Sequence, residues 1–240
     1  MITFRKIDDA DPALACSPMV RAIEKTFAYI AANGPIGLTP SKGFKRVFVH
    51  WAAAEFDWPD YTKEELFAVN KILDKEDFPP LMDLHDVMIA LKIGRHYKGA
   101  FRVTKKGETL IGHPGKIFGI VIPFFLFELN HSTYARTPDQ PLGNWDIFLN
   151  VLNIEAEDGI AGGKLCETLY GPPGRDEDGV NLALHSLYSH VLRPLCWAGL
   201  IEEHFPSGRR VIDRVYVKTA LWKSALQLDT DDRITRATRH

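Results

Sequence analysis

The sequence predicts a mainly helical α+β protein with small β-hairpins: two winged-helix-like lobes around a hydrophobic helical middle. Apolar residues recur at helical spacing through most of the 240 residues, and two short extended stretches interrupt that pattern at 96–103 and 202–219. Both halves follow one order: a helix ending at glycine, a hairpin, a threonine and a short helix. We therefore predict a first lobe at 1–112, connecting helices and loops at 113–175, and a second lobe with a C-terminal tail at 176–240.

Composition indicates a folded protein of the cytoplasm. Hydrophobic residues make up 45% and charged residues 25%, and the net charge of −2 argues against a chain that coats nucleic acid over its whole surface. Three cysteines without CxxC spacing suit a reducing compartment. The N-terminus has acids where a secretory signal has an apolar run. The most apolar stretch, 117–129, spans roughly 20 Å as a helix, too short to cross a membrane.

The first lobe begins with a clear amphipathic helix. Apolar residues spaced three or four apart mark a helix at 18–33, which Gly34 ends, and an extended piece follows at 36–38. Thr62 and Glu65 match a capping box, which predicts the start of a helix. The other predicted helices run from about 42 to 56, with Thr39 as the cap, and from 81 to 93, with Gly94 as the C-cap.

Residues 94–112, GRHYKGAFRVTKKGETLIG, carry the strongest local charge in the chain. The stretch predicts a hairpin that turns at Lys98-Gly99, followed by a short helix that Thr104 caps. Its basic residues are Arg95, Lys98, Arg102, Lys105 and Lys106.

The second half repeats this layout. A helix over 180–201 closes at Gly199, a hairpin turns at 206–208, and Thr219 caps the last helix. Its basic residues are Arg209, Arg210, Arg214 and Lys218. Few identities accompany this similarity of pattern, so the sequence leaves a true tandem repeat open.

The helix predicted at 115–130 is apolar around its whole circumference. Such a helix is buried on every side. We expect it to form either a spine between the lobes or, through Ile117–Leu129, a homodimer or partner interface.

Several short motifs resemble those of a known bacterial domain. Leu38-Thr39 with Gly43, then Ile93-Gly94, then Val103-Thr104-Lys105-Lys106-Gly107 are similar to the entry, helix end and "LTKKG" segment of the domain at the C-terminal end of plasmid ORF-three-like proteins. Val103 replaces the commoner leucine. The resemblance spans about residues 36–230, with specific matches in the first half alone. It implies a winged-helix-like fold and no established activity.

The basic hairpins are the candidate nucleic-acid-binding elements. Lysine and arginine on a projecting wing can neutralise DNA phosphates, while the helix before the wing would enter the major groove. Asp83 and Asp86 on that helix argue against this arrangement, because acids repel phosphate. The candidate residues are Arg95, Lys98, Arg102, Lys105 and Lys106, the helix-start cluster Lys42, Lys45 and Arg46, and Arg209, Arg210, Arg214 and Lys218.

Two other functions stay open. The first is a protein-interaction module without DNA binding, since exposed hairpins are often basic merely to discourage edge pairing. The second is an enzyme, although the sequence contains no motif that indicates one. Leu165 follows Lys164 at a position where a phosphate-binding loop requires Ser or Thr, and no pair of carboxylates is placed for acid–base catalysis. The nine histidines lack the spacing of a metal site, since His185 and His190 diverge on a helix. We therefore predict no catalytic residues, no metal and no cofactor.

Overall fold

The computed structural model describes residues 2–133, 140–172, 182–206 and 210–233. Two compact units make up the chain: the first is Asp8–Phe124, and the second combines Met1–Ile7 with Phe125–His240. Helices dominate and the sheets are small and antiparallel, so the predicted mainly helical α+β class is confirmed. The predicted boundaries after residues 112 and 175 stay predictions.

The first unit packs helices against a three-stranded antiparallel sheet of order β2-β4-β3. Strand β1 (Thr3–Phe4) comes first in the chain and belongs to the second unit. The elements that follow it are α1 (Pro18–Asn33), β2 (Ile36–Gly37), α2 (Arg46–Glu55), α3 (Lys63–Val69), α4 (Pro79–Ala90), β3 (Gly94–Tyr97), β4 (Ala100–Val103), α5 (Lys105–Glu108) and α6 (Pro114–Phe127). Two 3-10 turns lie at Pro12–Cys16 and Lys75–Asp77.

Local hydrogen bonds place most of these boundaries. The hydroxyl of Ser17 accepts from the backbone N–H of Val20 at the start of α1, and the predicted capping box of Thr62 and Glu65 opens α3. Thr104 caps α5 as predicted, because its hydroxyl accepts from the backbone N–H of Gly107 at 3.1 Å.

Two predicted helix boundaries are wrong. Helix α2 begins at Arg46 and not near residue 42, because Lys42 has a φ of 66° and Thr39 accepts the backbone N–H of Gly43 to close a loop. Gly94 is not a C-cap. It begins β3, and Lys92 takes the left-handed conformation at the end of α4 instead.

The absence of a side chain at Gly94 is required by packing. A Cβ at this position would overlap the ring of Phe101, which is completely buried. We expect Gly94→Ala to lower the free energy of unfolding by about 2 kcal/mol, because Phe101 would have to leave its position. Urea unfolding measures this loss. Gly119→Ala in α6 is the control: its Cβ would meet nothing within 4 Å, so stability should hold or rise. Equal stability of both variants would contradict the packing argument.

Hairpin β3–β4 has the predicted two-residue turn. Lys98 and Gly99 both have positive φ, 49° and 72°, as a type I′ turn requires. In the strand register Arg95 lies opposite Arg102, and Tyr97 lies opposite Ala100. Because successive side chains of a strand point to opposite faces of the sheet, these four residues share one face. Phe101 on the other face is buried, so Arg95, Tyr97 and Arg102 share the solvent face of the hairpin.

The second unit contains a three-stranded antiparallel sheet of order β5-β7-β6, together with a two-stranded ribbon of β1 and β8. Its elements are α7 (Trp145–Glu155), β5 (Ile160–Ala161), α8 (Gly162–Tyr170), α9 (Leu182–Leu187), a wide π-helical turn (Tyr188–Leu192), α10 (Arg193–Ala198), β6 (Ile201–His204), a 3-10 turn (Val211–Asp213), β7 (Val215–Lys218), α11 (Ala220–Ala225) and β8 (Leu226–Gln227).

Two capping predictions hold in this unit, while β1, β5, α8 and β8 were not predicted. Gly199 caps α10 with a φ of 81°, and the hydroxyl of Thr219 accepts from the backbone N–H of Leu221. Strand β5 lies within the predicted connecting segment, and it pairs with β7. Residues 207–209, which include most of the predicted turn, lie outside the described residues.

The two units share one order of elements. In each, a short strand precedes helices, a hairpin follows them, and the short strand pairs with the second strand of that hairpin. A capping threonine and a short helix then close the pattern.

Helix α6 departs from its predicted burial. Ile117, Phe118 and Val121 are completely buried, but Lys116 and Gly119 are exposed. The prediction that this helix is buried on every side is therefore wrong, and the helix ends at Phe127. Within the described residues, no helix has both the length and the apolar character needed to span a membrane.

Candidate functional site

Three cations surround an exposed aromatic ring on hairpin β3–β4. The guanidinium carbons of Arg95 and Arg102 lie 5.4 and 5.7 Å from the ring centroid of Tyr97, and the ammonium of Lys98 lies 5.4 Å from it. These are cation–π distances. Since Tyr97 is 46% exposed, the cluster lies on the surface. We call Arg95, Tyr97, Lys98 and Arg102 the hairpin cluster.

The next two predicted cations continue this positive surface. Lys105 and Lys106 are exposed at the start of α5, and Lys106 donates a hydrogen bond to the backbone carbonyl of Leu91. None of the five cations in 95–106 forms an ion pair with a carboxylate in the described part of the chain. The local positive charge is therefore not neutralised by those residues.

The cluster predicted at the start of α2 is divided. Lys42 and Lys45 are exposed, and Lys42 is close enough to His96 to lower the pKa of that imidazole. Arg46 instead forms a bidentate ion pair with Asp74, at 2.6 and 2.9 Å. Its hydrogen bond lowers the pKa of Asp74 below the ordinary value. Arg46 is therefore neutralised by a carboxylate that the sequence analysis did not pair with it.

The described cations of the second hairpin are all paired with acids. Arg210 bonds Asp213 at 2.7 Å, and Arg214 bonds Glu203 at 3.0 Å. Arg209 lies outside the described residues. The remaining cation of this hairpin, Lys218, bonds the carboxylate of Glu157 and the backbone carbonyl of Asn153, and only 12% of its side chain is exposed.

Arg214 is part of a part-buried network rather than of an open surface. Its guanidinium lies 4.7 Å from the ring centroid of Tyr188 and 5.2 Å from that of Phe205. Burial by itself lowers the pKa of Arg214, but the neighbouring Tyr188 and Glu203 outweigh it and raise the pKa above the ordinary value. The two hairpins thus share a basic sequence and differ in what their cations contact.

Helix α4, which the sequence analysis placed in the major groove, has almost no exposed surface. Asp83 and His85 are buried, and Asp86 lies 3.8 Å from the ammonium of Lys75. Asp83 therefore adds little to the repulsive surface expected from the sequence, and the partly exposed carboxylate of Asp86 has the ammonium of Lys75 nearby. The groove-reading role of α4 stays a prediction, and the burial of most of this helix disfavours it, because few polar side chains are left to contact base edges.

A part-buried group of hydrogen bonds links α4 to the hairpin, and the sequence did not predict it. The ammonium of Lys75 lies 2.9 Å from Nδ1 of His85, and Nε2 of His85 lies 2.9 Å from Nε2 of His96. The ring of His85 also packs against Phe44, with centroids 4.4 Å apart. No sequence spacing signals this group, because its members come from a 3-10 turn, a helix and a strand.

The surroundings of this hydrogen-bonded group oppose protonation of its two imidazoles. Burial lowers the pKa values of Lys75, His85 and His96, and nearby lysines lower that of His96 further. With Lys75 protonated, Nδ1 of His85 accepts, so Nε2 of His85 donates to His96. The hydrogen bond between His85 and His96 thus holds the inner face of β3 against α4, while the outer face of β3 carries the hairpin cluster.

A second histidine group lies in the other unit. His131 donates through Nε2 to the backbone carbonyl of Phe125, and the hydroxyl of Ser132 lies 3.0 Å from Nε2 of His190. Nδ1 of His190 in turn donates to the carbonyl of Ser186. Across the described residues, no three His, Cys, Asp or Glu side chains converge as a metal site would require.

The structure thus defines a two-unit α+β protein with an exposed basic hairpin, β3–β4, whose cations have no carboxylate partner among the described residues. The chain belongs to the Y4jL family: the model of the Y4jL N-terminal domain matches residues 15–116, and that of the y4jL C-terminal domain matches residues 135–220. It is 35% identical over 170 residues to "Uncharacterized protein y4jL" of Sinorhizobium fredii (strain NBRC 101917 / NGR234), which covers 70% of this chain and 76% of that relative.

No solved structure matches the chain. The family matches support the predicted likeness to a bacterial domain without an established activity, although the matching models are those of Y4jL and not the plasmid ORF-three-like domain expected from the motifs. The winged-helix likeness that accompanied the prediction stays a proposal.

Proposed function

We propose that this protein is a tandem winged-helix-like protein of the cytoplasm that binds the backbone of duplex DNA through hairpin β3–β4. The observation that carries the proposal is the hairpin cluster, in which three cations surround Tyr97 and none has a carboxylate partner among the described residues. Arg95 and Arg102 are directly opposite on neighbouring strands. Like charges in that position repel, and a bound phosphate would relieve the repulsion.

The order of elements in both units supports the winged-helix interpretation. A short strand, helices, a hairpin and a three-stranded antiparallel sheet recur in each unit, and the hairpins occupy the place of wings. The recurrence of this order also supports a tandem repeat, in which the second copy has kept the fold while its cations acquired internal partners.

The buried helix α4 limits the mode of binding. Because α4 has little exposed surface with which to read base edges, the hairpin contacts phosphates, and such contacts position a protein without specifying sequence. A regulatory role would then depend on local concentration or on shape rather than on one operator sequence.

The test compares binding of a mixed-sequence DNA duplex by the natural protein and by a variant with Arg95→Gln, Lys98→Gln and Arg102→Gln, from about 50 to 200 mM salt. Glutamine keeps length and polarity while it removes charge. We expect micromolar binding that weakens with salt for the natural protein. The variant should bind at least about tenfold more weakly and lose up to about three units of slope in log K against log salt.

A matched control removes three exposed lysines outside the hairpin, through Lys63→Gln, Lys71→Gln and Lys116→Gln. This control lowers net charge by the same amount and should lose clearly less affinity. Equal losses in both variants would show that overall charge and not the hairpin governs binding. No binding at the lowest salt would overturn the proposal.

A protein-interaction module is the second candidate, and exposed apolar side chains of the first unit favour it. Val47, Val69 and Ile72 are 77, 83 and 56% exposed. Helix α6 is a weaker candidate for a homodimer interface, since Ile117 and Val121 are already buried within the chain. Analytical ultracentrifugation of the natural protein and of a Val47→Ser, Val69→Ser variant tests self-association through the exposed residues.

A further inference from the structure

Tyr97 is placed on the hairpin in a way that the fold itself does not require. Its cross-strand partner is Ala100, which offers no large side chain for the ring to pack against. The ring is 46% exposed, next to a turn that Lys98 and Gly99 form without help from it. Aromatic residues on a sheet stabilise it through paired large side chains or burial, and Tyr97 has little of either.

The cations near Tyr97 give this exposed ring a particular electrostatic setting. Arg95, Lys98 and Arg102 all lie within 5.7 Å of its centroid. The ring face attracts them and holds three positive charges at one end of the hairpin. Planar guanidinium groups beside an aromatic ring form a surface on which another flat ring can stack, while their N–H groups donate to phosphate.

The helix before the hairpin offers little surface through which bases could be read. The helix before the hairpin, α4, is buried, and Asp83 and His85 on it face the interior. The exposed ring of Tyr97 is therefore better placed than α4 to contact a base. In a duplex the faces of the bases are covered by their neighbours, so the ring of Tyr97 can stack only on a base that is unpaired.

We propose that the hairpin cluster is a binding site for single-stranded DNA, in which Tyr97 stacks on one unpaired base and Arg95, Lys98 and Arg102 hold the adjacent phosphates. Sequence-tolerant recognition of single strands combines an aromatic stacking surface with a positively charged track along the backbone. This inference rests on the proposed nucleic-acid binding by the hairpin and adds single-stranded DNA as a further ligand of the same residues.

The experiment measures fluorescence anisotropy of a labelled mixed-sequence single strand and of the same sequence as a duplex, at about 50 mM salt. The proteins are the natural chain, Tyr97→Ala, Tyr97→Phe and the glutamine variant of Arg95, Lys98 and Arg102. We expect Tyr97→Ala to weaken single-strand binding roughly 5- to 100-fold, the range found for loss of base stacking, and to change duplex binding less than about twofold. Tyr97→Phe keeps the ring and should keep the affinity.

The measurements distinguish failure of the stacking inference from failure of the proposed DNA binding. If the natural protein binds DNA and the glutamine variant does not, while Tyr97→Ala binds both ligands normally, the hairpin binds phosphate and the stacking site is refuted. Equal weakening on both ligands also refutes it, since Tyr97 would then act only by arranging the cations. If the natural protein binds neither ligand, both proposals fail. Because Tyr97 is exposed, Tyr97→Ala should fold, and an unchanged thermal transition checks this.

Discussion

Glu203→Ala is expected to lower the free energy of unfolding by about 2 to 3 kcal/mol, because it leaves a part-buried charged donor without its carboxylate partner. Glu203 bonds Arg214 at 3.0 Å, and their side chains are only 10 and 15% exposed. Removal of the carboxylate leaves the guanidinium in a setting where water cannot fully replace it. Because Tyr188 also interacts with Arg214, the lower part of this range is expected. Urea unfolding of both proteins measures the difference.

The chain contains a matched control for this prediction. Lys164 and Glu167 form an ion pair of the same length, 3.0 Å, with side chains 66 and 42% exposed. Glu167→Ala should cost less than about 1 kcal/mol, because water screens an exposed pair. Replacing both members of the buried pair, as in Glu203→Leu with Arg214→Met, should recover much of the loss. A small effect of Glu203→Ala, equal to that of the control, would contradict a structural role for Arg214.

This result bears on which hairpin binds nucleic acid. If Arg214 supports the second unit through Glu203, its charge is committed to the fold. Phosphate binding then belongs to the first hairpin, where Arg95 and Arg102 have no such partner among the described residues. Arg214→Gln should therefore change stability far more than DNA affinity, the reverse of the pattern expected for the hairpin cluster.

Acidification is expected to destabilise the second unit through His131. Burial lowers the pKa of His131 to about 4, although its hydrogen bond to the carbonyl of Phe125 opposes that shift, and Arg193 and His190 add to it. Between pH 6.5 and 4 the unfolded chain therefore binds a proton that the folded chain does not. Stability is lost as the pH falls through this window, by about 3 kcal/mol once it is complete.

Urea unfolding at pH 7 and pH 4, for the natural protein and His131→Gln, isolates this contribution from other titrating groups. Glutamine retains a donor for the carbonyl of Phe125 and does not titrate. We expect the variant to lose about 3 kcal/mol less than the natural protein over this range. His204→Gln is the control, since His204 is exposed on β6. An identical pH dependence of the natural protein and His131→Gln would refute the assignment to His131.

Features that depend on a few neighbouring residues were predictable from the sequence. Helix α1, the capping box at Thr62, the turn at Lys98-Gly99 and the capping roles of Thr104 and Thr219 all appear where they were expected. Each is determined by hydrogen bonds or apolar spacing within four residues along the chain. The concentration of positive charge in 95–106 was equally visible, since it is a property of composition.

The tertiary structure decided what those charges contact. Both hairpins are rich in lysine and arginine in the sequence, but Lys218 forms an ion pair with Glu157, 61 residues away. At the start of α2, Arg46 likewise forms an ion pair with Asp74, 28 residues away. The approach of His85 to His96 and the burial of α4 likewise join separate elements. The energy of a charge depends on its distance to other charges and on how much water surrounds it, and packing sets both. A lysine or arginine therefore looks the same in sequence whether it ends in an ion pair or in solvent, and only the folded chain separates the two.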